Sequence, residues 1–130
     1  MQDISKWKVL VVDDEPDNLG VIQLVLEFQD ATVWTASSAM ECLEILEREQ
    51  PTLILVDIQM PDISGLELLR RIRERTHWRD IPTIAVTAYS MQGDRERIMS
   101  EGFDGYMGKP INAMTLVDEL VAMLELRQER

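Results

Sequence analysis

The sequence predicts a doubly wound α/β domain on a parallel sheet, and three observations predict it. Short β-branched and apolar runs recur along the chain, of which Leu53-Ile54-Leu55-Val56 is the most apolar. Four such residues are too few for a helix and read as a strand buried on both faces. Segments with apolar residues at helical spacing separate the runs, giving five strands alternating with five helices. Two runs also stop abruptly on carboxylates, Val9-Leu10-Val11-Val12 on Asp13-Asp14 and the central run on Asp57. In an open parallel sheet, ligands bind in the crevice outside such strand ends.

Taken in order, the first strand leads through Asp13-Asp14-Glu15 into a helix with Pro16 in its first turn, the one helical position that tolerates proline. Leu19, Ile22 and Leu26 carry that helix to about Gln29. Thr32-Val33-Trp34-Thr35-Ala36 reads as a short strand. Ser37 or Ser38 caps a second helix bearing Ala39, Cys42, Leu43 and Leu46. Pro51 turns the chain into the central strand. Beyond Asp57, Met60-Pro61-Asp62-Ile63-Ser64-Gly65 is a turn-rich loop that opens a third helix bearing Leu66, Leu69 and Ile72. Pro82 introduces a fourth strand, Thr83-Ile84-Ala85-Val86-Thr87, which ends on a hydroxyl. Met91 to about Ser100 forms a weak fourth helix, ended by Gly102. Tyr106-Met107 is a short fifth strand leading to Lys109-Pro110. A last helix from about Asn112 to Arg127 carries Met114, Val117, Leu120, Val121 and Leu124.

The 130 residues suffice for one domain and one core. The net charge is −11, with 12 acids against 3 bases in residues 1–60 and 12 against 10 in residues 61–130. That balance argues against direct nucleic-acid or anionic-membrane binding. No stretch has signal-peptide or membrane-spanning character, so a cytoplasmic protein without membrane insertion is expected. Cys42 is the only cysteine and reads as buried filler; His77 is the only histidine and reads as a surface residue. Ser-His-Asp, Cys-His and zinc chemistries therefore lack material. Arg70, Arg71, Arg73 and Arg75 read as a solvated helix face, with cations favoured near its carboxyl end.

Asp13, Asp14 and Asp57 thus reach one sheet edge. Three anionic groups held together call for a cation, a protonated member, or both. Mg²⁺ suits them best, since it keeps several waters and takes one or two carboxylates plus a phosphate oxygen. Each acid taken singly could instead cap the helix that follows.

With Asp13-Asp14, Asp57, Thr87 and Lys109-Pro110 each at an expected strand end, the chain resembles the receiver domains of bacterial two-component response regulators. The resemblance runs from about Lys8 to Glu125, and its finer likeness, through Ala85 to Asp94, is to single-domain regulators of cell division and to receivers of hybrid kinases. It implies a flavodoxin-like (βα)5 fold with strand order 2-1-3-4-5 and one receiver domain over residues 1–130. It further implies that Asp57 accepts a phosphoryl group from a histidine kinase or phosphotransfer protein. Asp14, Asp57 and the backbone carbonyl of Gln59 would bind Mg²⁺, with Asp13 acting through a water and Mn²⁺ able to substitute. Lys109 and Thr87 would each stabilise one phosphoryl oxygen, and Tyr106 would turn inward as Thr87 moves. Such a chain catalyses only its own phosphorylation and slow dephosphorylation. The resemblance also implies a cis Lys109-Pro110 peptide.

The departures from the family pattern are Ser64, where many members have an acid, and Gly108, where an apolar residue is usual. Gln59 and Tyr89 occupy the two variable positions that tune dephosphorylation in the family, and bulky Tyr89 is expected to hinder an incoming water. With no effector domain after the last helix, the output is expected from the face of the fourth helix, fifth strand and fifth helix around Tyr106. Five of the eight methionines lie in the last forty residues and suit a surface that repacks around a protein target. Three rival readings stand beside this one. An aspartate-nucleophile phosphatase would carry a second aspartate where Gln59 stands. A flavin-binding flavodoxin relative would offer small polar donors, not Asp13-Asp14-Glu15, to a phosphate. The third rival is a receiver cut from a hybrid kinase or longer regulator.

Overall fold

In a computed structural model that describes residues 3–88 and 93–128, the apolar runs form five parallel strands. A 3-10 turn at Ile4–Lys6 precedes β1 (Lys8–Val12), α1 (Pro16–Phe28), β2 (Thr32–Ala36), α2 (Ala39–Arg48), β3 (Leu53–Asp57), α3 (Gly65–Glu74), β4 (Thr83–Thr87), α4 (Asp94–Ser100), β5 (Gly105–Gly108) and α5 (Leu116–Gln128). The sheet order is β2-β1-β3-β4-β5, as the family resemblance implies.

Strand side chains alternate between two buried layers, because successive residues of a strand point to opposite faces. Val9 and Val11 of β1, Leu53 and Leu55 of β3 and Ile84 and Val86 of β4 pack with Ile22 and Leu26 of α1 and Leu116 and Leu120 of α5. Leu10, Val12, Ile54, Val56 and Ala85 face the other way, against Cys42 and Leu46 of α2, Leu68, Leu69 and Ile72 of α3 and Ile98 of α4. Helices on both sheet faces bury β3 and β4 completely and β1 from Val9 on, which is why these runs read as continuous apolar stretches, while the edge strands β2 and β5 are only partly buried. The register pairs Val12 with Val56 and Asp57 with Val86, so the residues that follow β1, β3 and β4 emerge at one edge.

Local chemistry sets the helix starts. Pro16 opens α1, and the hydroxyls of Ser38 and Ser64 accept hydrogen bonds from the N–H groups of Glu41 and Glu67 at 3.1 and 3.2 Å. Gly102, just past α4, has φ +113°, the left-handed backbone that glycine enters without a Cβ penalty. The Lys109-Pro110 peptide is cis. Cys42 is fully buried, and burial pushes its thiol pKa up to about 12, so it is inert filler. His77 is exposed. No described helix is long and apolar enough to cross a membrane.

Three details differ from the sequence reading. The regular part of the last helix begins at Leu116, and Asn112 caps the turn that leads into it: its side chain accepts the Met114 N–H at 2.9 Å and its carbonyl the Leu116 N–H at 3.0 Å, while Met114 is 91% exposed. Leu68, not Leu66, completes the buried face of α3 with Leu69 and Ile72. Arg73 is not part of a solvated face. Its guanidinium donates to the carbonyls of Arg79, Ile81 and Gly102 and meets Asp104 at 3.0 Å. The expected fourth helix is observed over Asp94–Ser100, while Met91, where it was expected to start, lies outside the described residues.

Candidate functional site

The edge where β1, β3 and β4 end gathers Asp13, Asp14, Glu15, Asp57, Thr87 and Lys109. Asp13 and Asp57 are 2% and 3% exposed, Thr87 is fully buried, and Asp14 and Glu15 face solvent. Backbone donors orient the two buried acids. The Glu15 N–H donates to Asp13 Oδ1 at 2.8 Å and the Gln59 N–H to Asp57 Oδ1 at 3.1 Å, each two residues on, in the local turn that aspartate favours.

Lys109 supplies the countercharge. Its Nζ lies 3.0 Å from Asp13 Oδ2, 3.0 Å from Glu15 Oε1 and 3.2 Å from Asp57 Oδ2, with 9% of the side chain exposed. The Lys109 N–H donates to the Thr87 carbonyl at 2.9 Å, so the end of β4 and the turn carrying the lysine are one unit. One ammonium cannot neutralise four acids. Burial first, and the charge of Asp13 second, push Asp57 up to about 6, against the Gln59 N–H and Lys109, which favour its ionised form. Burial works against the Lys109 charge, yet its contacts with Asp13, Glu15 and Asp57 outweigh this and hold the ammonium above the usual lysine range.

Carboxylate oxygens of Asp13, Asp14, Glu15 and Asp57 all lie within 4.8 Å of one another. Asp13 Oδ2 is buried and makes no well-aligned hydrogen bond among the described residues, although Lys109 Nζ pairs with it electrostatically. A buried carboxylate oxygen left in that state, among hard oxygen donors with excess negative charge, fits a hard cation such as Mg²⁺. Beside the acids, a cleft of about 590 Å³ reaches the surface between Asp14, Gln59, Met60, Leu66, Arg97 and Glu101.

The sequence-expected residues therefore converge, with two qualifications. Tyr106 lies on β5, half-buried in the layer that holds Ala85, its register partner. Thr87, two residues on from Ala85, shares that face, so Thr87 and Tyr106 lie on the same side of the sheet. Tyr89 lies outside the described residues. Glu15, not among the expected site residues, joins the cluster, and its place in the run Asp13-Asp14-Glu15 is the sequence signal for it. Asp62 and Gly65, turn residues by sequence, have closer roles. Both Asp62 carboxylate oxygens accept backbone N–H groups of α2, and a Cβ on Gly65 would collide with the Asp57 carbonyl oxygen. Long-range contacts of this kind leave no local sequence pattern.

A family model described as the response regulator receiver domain matches residues 9–121. The polar-differentiation response regulator DivK of Brucella ovis is 34% identical over 116 residues, covering 89% of this chain and 94% of its own. An uncharacterized protein of Leptolyngbya boryana is 39% identical over 117 residues, covering 90% and 89%. Among solved structures, the chemotaxis response regulator CheY4 of Vibrio cholerae superposes with a TM-score of 0.84 at 25% identity, covering 90% of this chain and 98% of its own.

Proposed function

The chain belongs to the response regulator receiver domain family, and from that premise we propose that Asp57 accepts a phosphoryl group from a histidine kinase or phosphotransfer protein and thereby switches a protein-binding face. Receiver domains are phosphoacceptor modules of two-component signalling, bind Mg²⁺ at an acidic pocket, and interact with histidine kinases and downstream targets. The observation that carries the assignment to particular residues is Lys109 Nζ lodged between the buried carboxylates of Asp13 and Asp57 at 3.0 and 3.2 Å. That is a site built to hold excess anionic charge until a further cation and a phosphoryl group arrive.

In the proposed reaction an Asp57 carboxylate oxygen attacks phosphorus. A new O–P bond forms as the P–N bond of a phosphohistidine breaks, the electron pair leaving with the imidazole nitrogen, which solvent protonates. Phosphoryl transfer needs little covalent help from a protein, so positioning and charge neutralisation carry the catalysis. Asp14, Asp57 and the Gln59 carbonyl would hold Mg²⁺, or Mn²⁺ in its place, with Asp13 acting through a water. Bound there, the ion would neutralise charge on the phosphoryl oxygens. Lys109 would keep its ammonium on one oxygen as a point charge, and the Thr87 hydroxyl would donate to another.

Thr87 moving toward the phosphoryl group would let Tyr106 turn inward, shifting a pre-existing equilibrium of the α4–β5–α5 face toward a form that a downstream protein recognises. Gln59 and Tyr89 would set the lifetime of the acyl phosphate, which the chain itself hydrolyses slowly without turning over an external substrate. We assign one receiver domain to residues 1–130 and a cytoplasmic site of action, where kinase and phosphodonor meet.

Intact mass after incubation with acetyl phosphate tests this reading. A Mg²⁺-dependent gain of one phosphoryl group, absent in Asp57→Asn, is expected; no gain in folded protein with Mg²⁺ present would leave a partner-binding fold without the chemistry.

A further inference from the structure

We propose that Asp62 is a positioning residue for the metal-binding edge, pinning the β3–α3 loop, and with it the Gln59 main chain, to the first turn of α2. The proposal rests on the reading of that edge as a Mg²⁺ site. Asp62 Oδ1 accepts the Ala39 N–H at 3.3 Å and Oδ2 the Met40 N–H at 3.1 Å, across 23 and 22 residues of chain. These are the first two N–H groups of α2, which have no partner inside a helix, and the positive end of the helix dipole favours a carboxylate there.

The geometry exceeds what α2 needs for a cap. Its own residues already form one: Ser38 Oγ accepts the Glu41 N–H at 3.1 Å, and the Glu41 carboxylate accepts the Ser37 N–H at 3.0 Å. Asp62 is a second anion on the same helix end, delivered from a loop that begins at the candidate phosphoacceptor. The base of that loop is pinched as well. The Gly65 N–H donates to the Ile58 carbonyl at 2.9 Å, an approach possible because Gly65 has no Cβ to strike the Asp57 carbonyl oxygen. Pinched at its base and pinned at Asp62, the segment from Gln59 to Ser64 holds one main-chain path. A backbone carbonyl can serve a small, geometrically demanding cation such as Mg²⁺ only if its path is fixed in this way.

The contact also makes α2 a neighbour of the site chemistry. A cation that draws on the Gln59 carbonyl pulls on a loop whose other attachment is the amino end of α2.

The test is Mg²⁺ titration by calorimetry, with thermal unfolding alongside, on the full chain and three variants. Asp62→Ala is expected to weaken Mg²⁺ binding about tenfold, the scale on which residues supporting metal ligands act. Ser38→Ala removes a cap from the same helix end without touching the loop; its Tm should fall while Mg²⁺ affinity stays within about twofold of the original chain. Asp62→Asn keeps one acceptor oxygen for one of the two N–H groups and loses the charge, so its affinity should fall between those of Asp62→Ala and the original chain. Equal Mg²⁺ affinity in Asp62→Ala and the original chain would overturn the proposal, leaving Asp62 a cap only. A Mg²⁺ affinity loss in Ser38→Ala as large as in Asp62→Ala would overturn it differently, by assigning the effect to the cap of α2. An original chain that binds no Mg²⁺ would remove the metal reading and this proposal with it.

Discussion

Lys109 Nζ and Asp57 Oδ2 stand 3.2 Å apart across 52 residues of chain, and Asp13 Oδ2 closes on the same ammonium at 3.0 Å. One ammonium thus faces two carboxylates that are almost wholly removed from water. Taking it away strands both.

Lys109→Met is therefore expected to lower unfolding stability at pH 7.5 by roughly 3 kcal/mol in the absence of divalent ions, the lower end for breaking a buried pair, because Asp57 can take up a proton in response. Millimolar Mg²⁺ should restore more stability to the variant than it adds to the original chain, since the ion and the ammonium serve the same carboxylates. Urea unfolding with and without Mg²⁺ measures both. Equal Mg²⁺ increments would mean that the two cations act at separate places.

Asp57 also sets a pH dependence. Its pKa is pushed up to about 6 in the folded chain, above the ordinary aspartate value near 4 that the unfolded chain retains. Between about pH 4 and pH 6 the folded state holds a proton that the unfolded state has released, so this group's contribution to stability is fully present below pH 4 and is lost as pH rises through 6. Asp57→Asn should remove that loss, being more stable than the original chain at pH 7.5 by roughly 1–3 kcal/mol and nearly matched with it at pH 4. Mg²⁺ binding should weaken as pH falls through 6, because the proton and the ion compete for one carboxylate. Thermal unfolding across pH 4–8 without Mg²⁺ is the measurement. A gap between the two proteins that is constant with pH would show that Asp57 keeps an ordinary pKa.

These carboxylates were legible in the sequence because a parallel sheet buries its strands on both faces. An apolar run that halts on an acid therefore marks a strand end. Val12-Asp13 and Val56-Asp57 carry that signal without help; the strand order makes β1 and β3 neighbours, and the observed register sets Val12 beside Val56. The start of α5 was not legible to the residue. Asn112, Ala113 and Met114 look helical, and in the fold they form a capped turn, closed by the Asn112 side chain and carbonyl, ahead of the regular helix. Arg73 is indistinguishable from its neighbours in sequence because four arginines within six positions look alike, whereas the fold half-buries it against the segments that lead into β4 and β5. Asp62 and Gly65 were invisible for the same reason, since their partners lie in other parts of the fold or in the backbone of the preceding strand.

Arg73 and Asp104 join the opposite end of the sheet from the acids. Asp104 Oδ2 accepts the Arg73 guanidinium at 3.0 Å and the Thr83 N–H at 2.9 Å, while Oδ1 pairs with Arg127 of α5 at 3.1 Å. Arg73→Ala removes donors from the carbonyls of Arg79, Ile81 and Gly102 as well, and a loss of about 3 kcal/mol is expected. Arg73→Lys should recover less than half, because one ammonium cannot reproduce the planar fork. Arg70→Ala, whose exposed pairs with Glu67 and Glu101 are screened by water, should change stability by less than about 0.5 kcal/mol. Urea unfolding of the three variants separates these values; comparable losses for Arg70 and Arg73 would return both to one solvated face.

Gly65 offers the sharpest contrast between two glycines. A Cβ there would collide with the Asp57 carbonyl oxygen and lie 2.8 Å from the Ile58 Cα, both backbone atoms that cannot swing aside as a side chain can. Gly65→Ala must therefore displace the start of α3 from the end of β3, at about 3 kcal/mol, the upper range for overpacking. Because the displaced strand end carries Asp57, Mg²⁺ affinity should fall in the same variant. Gly20 lies within α1 with nothing within 4 Å of its Cβ position. Gly20→Ala should raise stability by about 0.5–1 kcal/mol, since alanine has less unfolded-chain freedom to lose and favours the helix, and it should leave Mg²⁺ binding unchanged. Unfolding and Mg²⁺ titration of the pair check both. A Gly65→Ala chain as stable as the original would mean that α3 does not need to sit this close to the end of β3.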